Sequence, residues 1–491
     1  MTLKVEELST PQLITMFLIT VMGGYFVVVH IIFFLMDVIK LSKIPGPVPV
    51  PVLGNLYDRM ALTSFIGWLS KLRRKYGKIY RVFTGSRAYV VLMDKVAARE
   101  ALSDPRTFVK GPDYKEKFSF VFGDGLVTSV GEKHKTDRAL FAKYFTQKKI
   151  EMHLPVLCEQ TLKAINSEME PHVGQGQGVV DLEHFFSILA FKMFCRFAIN
   201  HEFVESEVWS ELTSRGSNII GESIVLGIPV TTWIPRVKKL LEDTERFHRC
   251  CDPLIDARIL AHSKGEEMVD DPLTVMVQEK MTRKQMYSHL VTMLAAGHDT
   301  TAFCTCYTLF LLAKNPKIQA KLKAEIKRVM GTRTNITPED IAQLTYAKNC
   351  FQESLRIYSV VPHVTRVCIR DTKLSCGVTV PANTEVLVPI CLLNRDTDEW
   401  GAPIDAFDPD RFEGITRESP SKGYFPFGYS TRSCIGATLA LIEGTVMITL
   451  LAQRYTFLEE PSFKLKLKSG ITMVSSNGVK VRVQRDMDYA S

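Results

Sequence analysis

The residue best suited to bind a metal is a cysteine near the C-terminal end of the chain. Cys434 lies in the segment Phe-Gly-Tyr-Ser-Thr-Arg-Ser-Cys-Ile-Gly, residues 427–436, and an apolar run typical of a buried helix follows it. A helix N-terminus and the nearby Arg432 both stabilise a thiolate, the form of cysteine that coordinates metals. Because an isolated cysteine usually only packs in the core, the ligand assignment depends on the rest of the chain.

A second segment places an acid beside a hydroxyl within a long apolar run. Residues 281–314 are compatible with one helix, and residues 296–301 read Ala-Gly-His-Asp-Thr-Thr. Burying Asp299 beside Thr300 costs free energy unless the pair is used, and such a pair is suited to relaying protons as a general acid. The small pair Ala296 and Gly297 predicts room for a flat cofactor. His298 is interpreted as structural, and a hydroxyl bonded to its own helix backbone is the alternative for Thr300.

The third feature is a pair of opposite charges. Glu353 and Arg356 are three residues apart on a predicted helix, so their side chains lie on one face. Arg411 follows in the later segment Phe-Asp-Pro-Asp-Arg-Phe, residues 407–412. Pairs with this spacing are common on helix surfaces, and the spacing alone does not bury them.

These three segments, in this order, resemble the oxygen-activation helix, the structural charge network and the cysteine loop of the cytochrome P-450 family. The resemblance covers essentially everything after Ile44. It implies haem b with the Cys434 thiolate as axial iron ligand and with Phe427 shielding the sulfur. It also implies that Asp299 and Thr300 deliver protons to bound dioxygen, and that the three charged residues form a buried network holding the haem-side core.

The same resemblance assigns further residues to the haem. Contacts with the cofactor or its two propionates are implied for His134, Arg138, Ala296, Arg366, Arg432 and Gly436. Two positions depart from the family pattern, because Ser430 replaces a glycine of the cysteine loop and His134 replaces a tryptophan. A serine adopts a tight turn at some conformational cost. Since His134 and Arg138 are four residues apart, a salt-bridged surface helix is the alternative interpretation of this pair.

The N-terminal segment has the properties of a membrane anchor. Residues 13–36 carry no charge and are long enough to span a bilayer as a helix. Lys40 and Lys43 follow this run, which favours a single-pass anchor with the rest of the chain on the cytosolic side of the endoplasmic reticulum. The predicted organisation is therefore an anchor over residues 1–43, a proline-rich hinge over 44–55 and a haem-thiolate catalytic domain over 56–491.

Length suggests one large domain or two, and composition is that of an ordinary globular protein with a large core. The net charge of +8 is modest for 491 residues, and no basic run is dense enough to indicate a nucleic-acid partner. Eleven cysteines without paired spacing indicate a reducing compartment. The resemblance implies a mainly α fold with small β-sheets, and the turn residues Asn477 and Gly478 predict a β-hairpin.

The resemblance implies a monooxygenase that inserts one oxygen atom from dioxygen into a lipophilic substrate, a sterol or a fatty acid. Its electrons would come from NADPH through a flavoprotein reductase. Two alternatives stay open: a haem-thiolate isomerase or dehydratase that needs no reductase, and a non-catalytic membrane protein that binds lipid or haem. The acid and hydroxyl at Asp299 and Thr300 argue against both, because neither activity requires a proton relay.

Overall fold

The computed structural model of the protein describes residues 28–51, 53–60, 64–173, 177–201, 206–226, 230–415 and 423–486. The fold is mainly α with small β-sheets, as the resemblance implied. The first helices are α1 (28–40), α2 (Leu56–Met60), α3 (Phe65–Tyr76), α4 (Lys95–Ser103), α5 (Ser119–Phe122), α6 (Gly131–Ala142), α7 (Gln147–Glu151), α8 (Leu154–Ala164), α9 (Glu170–Val173) and α10 (Leu182–Ile199). The later helices are α11 (Ser206–Leu226), α12 (Pro235–Lys264), α13 (Pro272–Gln278), α14 (Arg283–Lys314), α15 (Pro316–Met330), α16 (Pro338–Gln343), α17 (Thr345–Ile357), α18 (Ile390–Leu393), α19 (Thr397–Trp400) and α20 (Ala437–Arg454).

The strands form small sheets beside the helices. They are β1 (Ile79–Thr84), β2 (Arg87–Leu92), β3 (Phe108–Val109), β4 (Gln177–Asp181), β5 (Val364–Cys368), β6 (Thr372–Lys373), β7 (Thr379–Val380), β8 (Thr384–Val388), β9 (Tyr455–Glu459), β10 (Leu467–Ser469), β11 (Met473–Ser475) and β12 (Lys480–Arg485). The largest sheet has the order β1-β2-β8-β5-β3, in which β2 and β8 are parallel and the other pairs antiparallel. A second sheet has the order β4-β12-β9.

The hairpin predicted at Asn477 and Gly478 is wrong. The strands on either side of this turn, β11 and β12, belong to different sheets, and β11 pairs instead with β10. Both edges of β12 are already occupied by β4 and β9, so β12 has no edge left for β11. The turn itself is present, since Gly478 has a φ of 73°.

Two long helices, α10 and α14, pack along each other in the core. A capping box at Thr282 and Gln285 begins α14, because each side chain bonds the other residue's backbone N–H. A Cβ atom at Gly297 would lie 2.0 Å from the ring of Phe194 on α10. The missing side chain at Gly297 therefore permits close packing of α14 against α10.

Most of the predicted membrane anchor, residues 1–27, lies outside the described residues. The part that is described, α1, exposes apolar side chains, and Phe33 is 62% exposed. Within the described ranges, the helix that is long and apolar enough to cross a membrane is Ala437–Arg454, of which 83% is buried. That helix, α20, is a core helix. The proline-rich segment packs on β1, where the Arg81 N–H donates to the Pro45 carbonyl at 2.8 Å.

Candidate active site

A cavity of about 400 Å³ brings together residues that are far apart in sequence. Its walls include Ala296, Asp299 and Thr300 of α14 and the loop that precedes α20, with Phe427 and Cys434. Cys434 is exposed within this loop, whereas most of the other cysteines are buried in the core. The cavity therefore presents one accessible thiol beside the acid and hydroxyl of α14.

The loop that carries Cys434 is closed by backbone geometry. The Cys434 N–H donates to the Phe427 carbonyl at 2.7 Å, and Gly428 has a φ of 70°. Ser430 also has a positive φ, 59°, so the conformational cost expected from replacing glycine is present. Gly436 is the N-cap residue of α20 and lines the cavity. This strained loop holds the thiol at a fixed place in the wall.

Several basic side chains lie close together in one part of the cavity wall. Its lining includes Lys110, His134, Arg138, Arg366 and Arg432, contributed by α6, β5, the cysteine loop and the segment after β3. Arg366 donates to the Thr365 carbonyl at 2.8 Å, and Arg432 donates to the Ser129 carbonyl at 3.0 Å. His134 is 7% exposed, so the surface-helix interpretation does not hold for it.

Burial and mutual repulsion weaken the basicity of this cluster. Burial, followed by the charges of Arg366 and Arg138, lowers the pKa of Arg432 to about 10. Burial and the neighbouring Arg432 and Lys110 lower the pKa of His134 to about 3, which leaves the imidazole neutral near pH 7. The pKa of Lys110 is also well below its usual value, chiefly through burial. An anion placed among these groups would relieve the repulsion.

The residues present fit haem. Among the described residues lining the cavity, the carboxylic acids are Asp299 and Glu443, and neither contributes to the pKa shifts of the cationic cluster. The cluster thus suits an anionic group such as the two propionates. Cys434 offers the single thiolate that a haem iron takes as axial ligand. A thiol and an anion-binding cluster in one cavity are the two features that haem-thiolate binding requires.

On α14, the hydroxyl of Thr300 donates to the Ala296 carbonyl at 2.7 Å. The backbone-bonded state considered for this threonine is therefore the one observed. The oxygen can still accept a hydrogen bond, but it must rotate before it donates one into the cavity. Asp299, which precedes Thr300, has an 18% exposed side chain and contacts the ring of His298.

The structure brings the three charged residues of the predicted network together away from the cavity. Glu353 and Arg356 are both 0% exposed, and their two hydrogen bonds are 2.6 Å and 2.8 Å long. Arg411 Nε lies 3.6 Å from Glu353 Oε1. The Asp408 N–H also donates to Glu353, at 3.0 Å, and Arg356 donates to the Ala406 carbonyl at 3.2 Å.

A sequence model of the cytochrome P450 family matches residues 44–482. The chain belongs to the cytochrome P450 family. Membership implies a haem iron with a cysteine thiolate ligand, and the protein is a monooxygenase, which is an oxidoreductase. Members of the family generally use a redox partner and a lipophilic substrate.

Similar cytochromes P450 come from plants and animals. Cytochrome P450 CYP72A613 from Trigonella foenum-graecum is 27% identical, over 79% of this chain and 77% of its own length. The 11-oxo-beta-amyrin 30-oxidase from Glycyrrhiza uralensis is 26% identical, over 83% and 80%. Cytochrome P450 4d2 from Drosophila melanogaster is 24% identical, over 89% and 92%.

One basic residue of this cytochrome P450 site, Lys110, was missed from the sequence. It follows the two-residue strand β3, and its amino group donates to the Val127 carbonyl. Its surroundings in sequence, Phe108-Val109 before it and Gly111 after it, are apolar, and a lone lysine in such a segment is a weak signal of a buried charge. Nothing in its spacing relates it to His134 or to the three arginines of the cavity.

Proposed function

We propose that Cys434 is the axial thiolate ligand and that the cationic cluster binds the haem propionates. The cavity that contains both is the single observation that carries this proposal. Phe427 would shield the sulfur, and Gly436 would let the start of α20 approach the cofactor. Arg138, Arg366 and Arg432 would donate charged hydrogen bonds, while neutral His134 would donate one N–H.

Bound haem supplies the activation of dioxygen and the insertion of one oxygen atom into a substrate C–H bond. The chain's own contribution is the delivery of protons and the orientation of substrate. Asp299 would pass a proton to the Thr300 hydroxyl, which accepts it on its free lone pair and, after leaving the Ala296 carbonyl, donates its own proton into the cavity. Ala296 would contact the cofactor directly.

The network of Glu353, Arg356 and Arg411 is proposed to hold the haem-side core without taking part in the chemistry. Its charged groups bond one another, and backbone groups of the segment before the 3₁₀ turn Pro409–Phe412 supply further partners, namely the Asp408 N–H and the carbonyls of Trp400, Pro403 and Ala406. It would therefore fix the segments around it in one arrangement.

The proposed substrate is a lipophilic molecule, a sterol or fatty acid. The lining of the cavity supports this, since its apolar residues include Phe118, Phe122, Phe194, Ile224, Met293 and Ile471. Two residues of α11 add hydroxyls to this lining: Ser217 would orient a polar group on an otherwise apolar molecule, and the Thr213 hydroxyl donates to the Trp209 carbonyl at 3.1 Å. Relatives named as 11-oxo-beta-amyrin 30-oxidases are compatible with a polycyclic substrate.

We further propose that residues 1–43 anchor the protein in the endoplasmic reticulum membrane, with 44–55 as hinge and 56–491 as cytosolic catalytic domain. The exposed apolar residues of α1 support this assignment. Electrons from NADPH would arrive through a flavoprotein reductase, which the basic side chains around the cysteine loop would attract.

The experiment is NADPH-dependent turnover of a panel of sterols and fatty acids by the full chain with a purified reductase. We expect one oxygen added per product and no conversion without reductase. The Thr300→Ala variant should keep its haem yet form about 100-fold less product per NADPH, with peroxide released instead. The matched control is Thr305→Ala, which removes the same kind of backbone bond from α14 but faces the core. Reductase-independent conversion of a peroxide would contradict the proposal.

A further inference from the structure

A histidine in the cavity wall has no hydrogen-bond partner within the described part of the chain. His363 precedes β5, and its ring packs against Phe65 at a centroid distance of 5.7 Å. The ring is deep inside the domain, yet it is partly accessible, and it lines the cavity. Its accessible surface therefore faces the cavity. A polar ring left unbonded at this place indicates a polar atom on the molecule that fills the cavity.

A hydroxyl of α11 belongs to the same region of the wall. Ser217 lines the cavity, and a Cβ atom at Gly470, in the turn between β10 and β11, would lie 3.0 Å from Ser217 Oγ. After this turn, the Met473 N–H donates to the Val360 carbonyl at 2.7 Å, three residues before His363. One short hairpin thus contacts both α11 and the segment that carries the histidine. The hydroxyl and the imidazole therefore lie on adjoining parts of the wall.

The charges near His363 do not suit an anion. Burial lowers the pKa of this imidazole to about 4, so it is neutral near pH 7, and the charge that opposes the shift is that of an acid, Asp113. Asp113 already bonds Arg87 and Lys117. The arginines and the lysine of the cavity lower one another's pKa and that of His134, but they do not act on the pKa of His363. The cations of the cavity are therefore apart from this region.

From this wall we propose that His363 and Ser217 bind an uncharged oxygen of the substrate, a hydroxyl or a keto group, and that they exclude a carboxylate. The inference rests on the proposed function, in which the haem propionates occupy the cations of the cavity. A neutral imidazole has one N–H and one lone pair, so it bonds a hydroxyl as donor or as acceptor. A carboxylate at the same place would be buried without a counter-charge, which costs free energy. Of the two proposed substrate classes, this favours a sterol over the ion of a fatty acid.

Ligand binding to the haem-loaded full chain tests the inference with two matched pairs of ligands. Hexadecanol and hexadecanoate differ only in the terminal group, and cholesterol is compared with the hydrocarbon that lacks its hydroxyl. Dissociation constants are measured at a pH at which the acid is ionised, and each is corrected for partition of the ligand into detergent. We expect each alcohol to bind about tenfold more tightly than its partner, since a hydrogen bond contributes about 1 kcal/mol, and more where a charge is left unpaired.

Substitutions in the wall show whether these residues cause the preference. His363→Leu removes both polar atoms of the ring, and we expect it to reduce the preference for cholesterol to about twofold with little change in the affinity for the hydrocarbon. His363→Gln, which restores a donor and an acceptor, should recover most of the preference. Ser217→Ala should lose a smaller part of it. The control His289→Gln changes a buried histidine of α14 that faces Asp137 and is not part of the cavity lining, and it should keep the full preference.

Hexadecanoate binding to the wild-type protein as tightly as hexadecanol would overturn the inference. So would an undiminished preference for cholesterol in His363→Leu at equal haem content, or a failure of both alcohols to bind. These results are distinct from a failure of the proposed function. If the alcohols bind as expected but no substrate is oxidised with reductase and NADPH, the proposed function fails and the recognition of an uncharged oxygen stands. If fatty acids bind more tightly and are oxidised, the proposed function stands and this inference fails.

Discussion

The arginine cluster around Arg356 and the one around Arg432 differ in the charges that surround them. Around Arg356, a carboxylate of equal burial, Glu353, accepts two hydrogen bonds, and a backbone carbonyl accepts another. Around Arg432, the neighbouring side chains are themselves cationic, namely Arg138 and Arg366, and the observed acceptor is the neutral Ser129 carbonyl. Both clusters lie inside the same domain and contain the same residue type.

The difference separates a structural role from a binding role. A buried charge with its counter-charge in place contributes to one fixed arrangement of the chain. A group of like charges lowers stability until something of opposite sign binds, so it indicates the chemistry of a ligand. The first cluster already contains its counter-charge, whereas the second would be completed by an anionic cofactor.

The largest effect should come from breaking the balanced cluster. Removing one partner of a buried pair leaves an uncompensated charge and typically costs about 3–5 kcal/mol of folding free energy. We expect Arg356→Met to lose that much in urea unfolding of the full chain in detergent. The double variant Glu353→Met with Arg356→Met should be less destabilised than this single variant. A loss below about 1 kcal/mol in Arg356→Met would show that the pair does not hold the core.

Substitution of Arg432 in the cationic cluster should weaken haem binding rather than folding, and the change in free energy should be smaller. Arg432→Met should leave the unfolding free energy of the haem-free chain unchanged or raise it, because a repelling charge is removed. Its haem should dissociate about 10–100-fold faster, since a charged hydrogen bond contributes about 1.5–3 kcal/mol. Transfer of haem to an excess of an acceptor apoprotein measures this. If Arg432→Met were destabilised as much as Arg356→Met and still kept its haem normally, the cationic cluster would have a structural role and not a binding role.

The pH dependence of stability should depend on the buried acid Glu443 of the cavity wall. Burial raises its pKa to about 8, and a hydrogen bond from Thr301 only partly offsets this. Its folded-state pKa exceeds its unfolded value, so its stabilising contribution is complete below about pH 4.5 and declines as the pH rises through about 8. The slope is at most about 1.4 kcal/mol per pH unit.

We expect Glu443→Gln to remove this slope. Urea unfolding at about pH 5, 6.5 and 8 should show wild type losing more stability across the series than the variant. Parallel pH curves for the two proteins would mean that Glu443 has the same pKa in the folded and unfolded states.

The sequence predicted the local features of the site better than their surroundings. The helix-compatible run over residues 281–314 predicted α14, and the spacing of Glu353 and Arg356 predicted one helix face, because both depend on neighbours three or four residues away. Lys110 was missed because its cationic partners come from α6, β5 and the cysteine loop, which are distant in sequence. The failed hairpin at Asn477 has the same cause: the turn is local, but the partners of β12 are β4 and β9.

His298 shows the same limit at the active site. Its position in the Ala-Gly-His-Asp-Thr-Thr segment indicates burial but not partners, and those partners, Ser187 and Trp209, lie on two other helices. Gly297 was predicted to leave room for a flat cofactor; it lines the cavity, and its missing side chain also admits the ring of Phe194 from α10.

The most direct test of the account is the carbon monoxide difference spectrum of the reduced full chain. The wild-type protein should give the long-wavelength Soret band of a thiolate-ligated haem, and Cys434→Ala should lose it. Cys376→Ala, which removes the exposed cysteine outside the cavity, should leave it unchanged. A thiolate-type spectrum that persists in Cys434→Ala would contradict the assignment of this residue as the iron ligand.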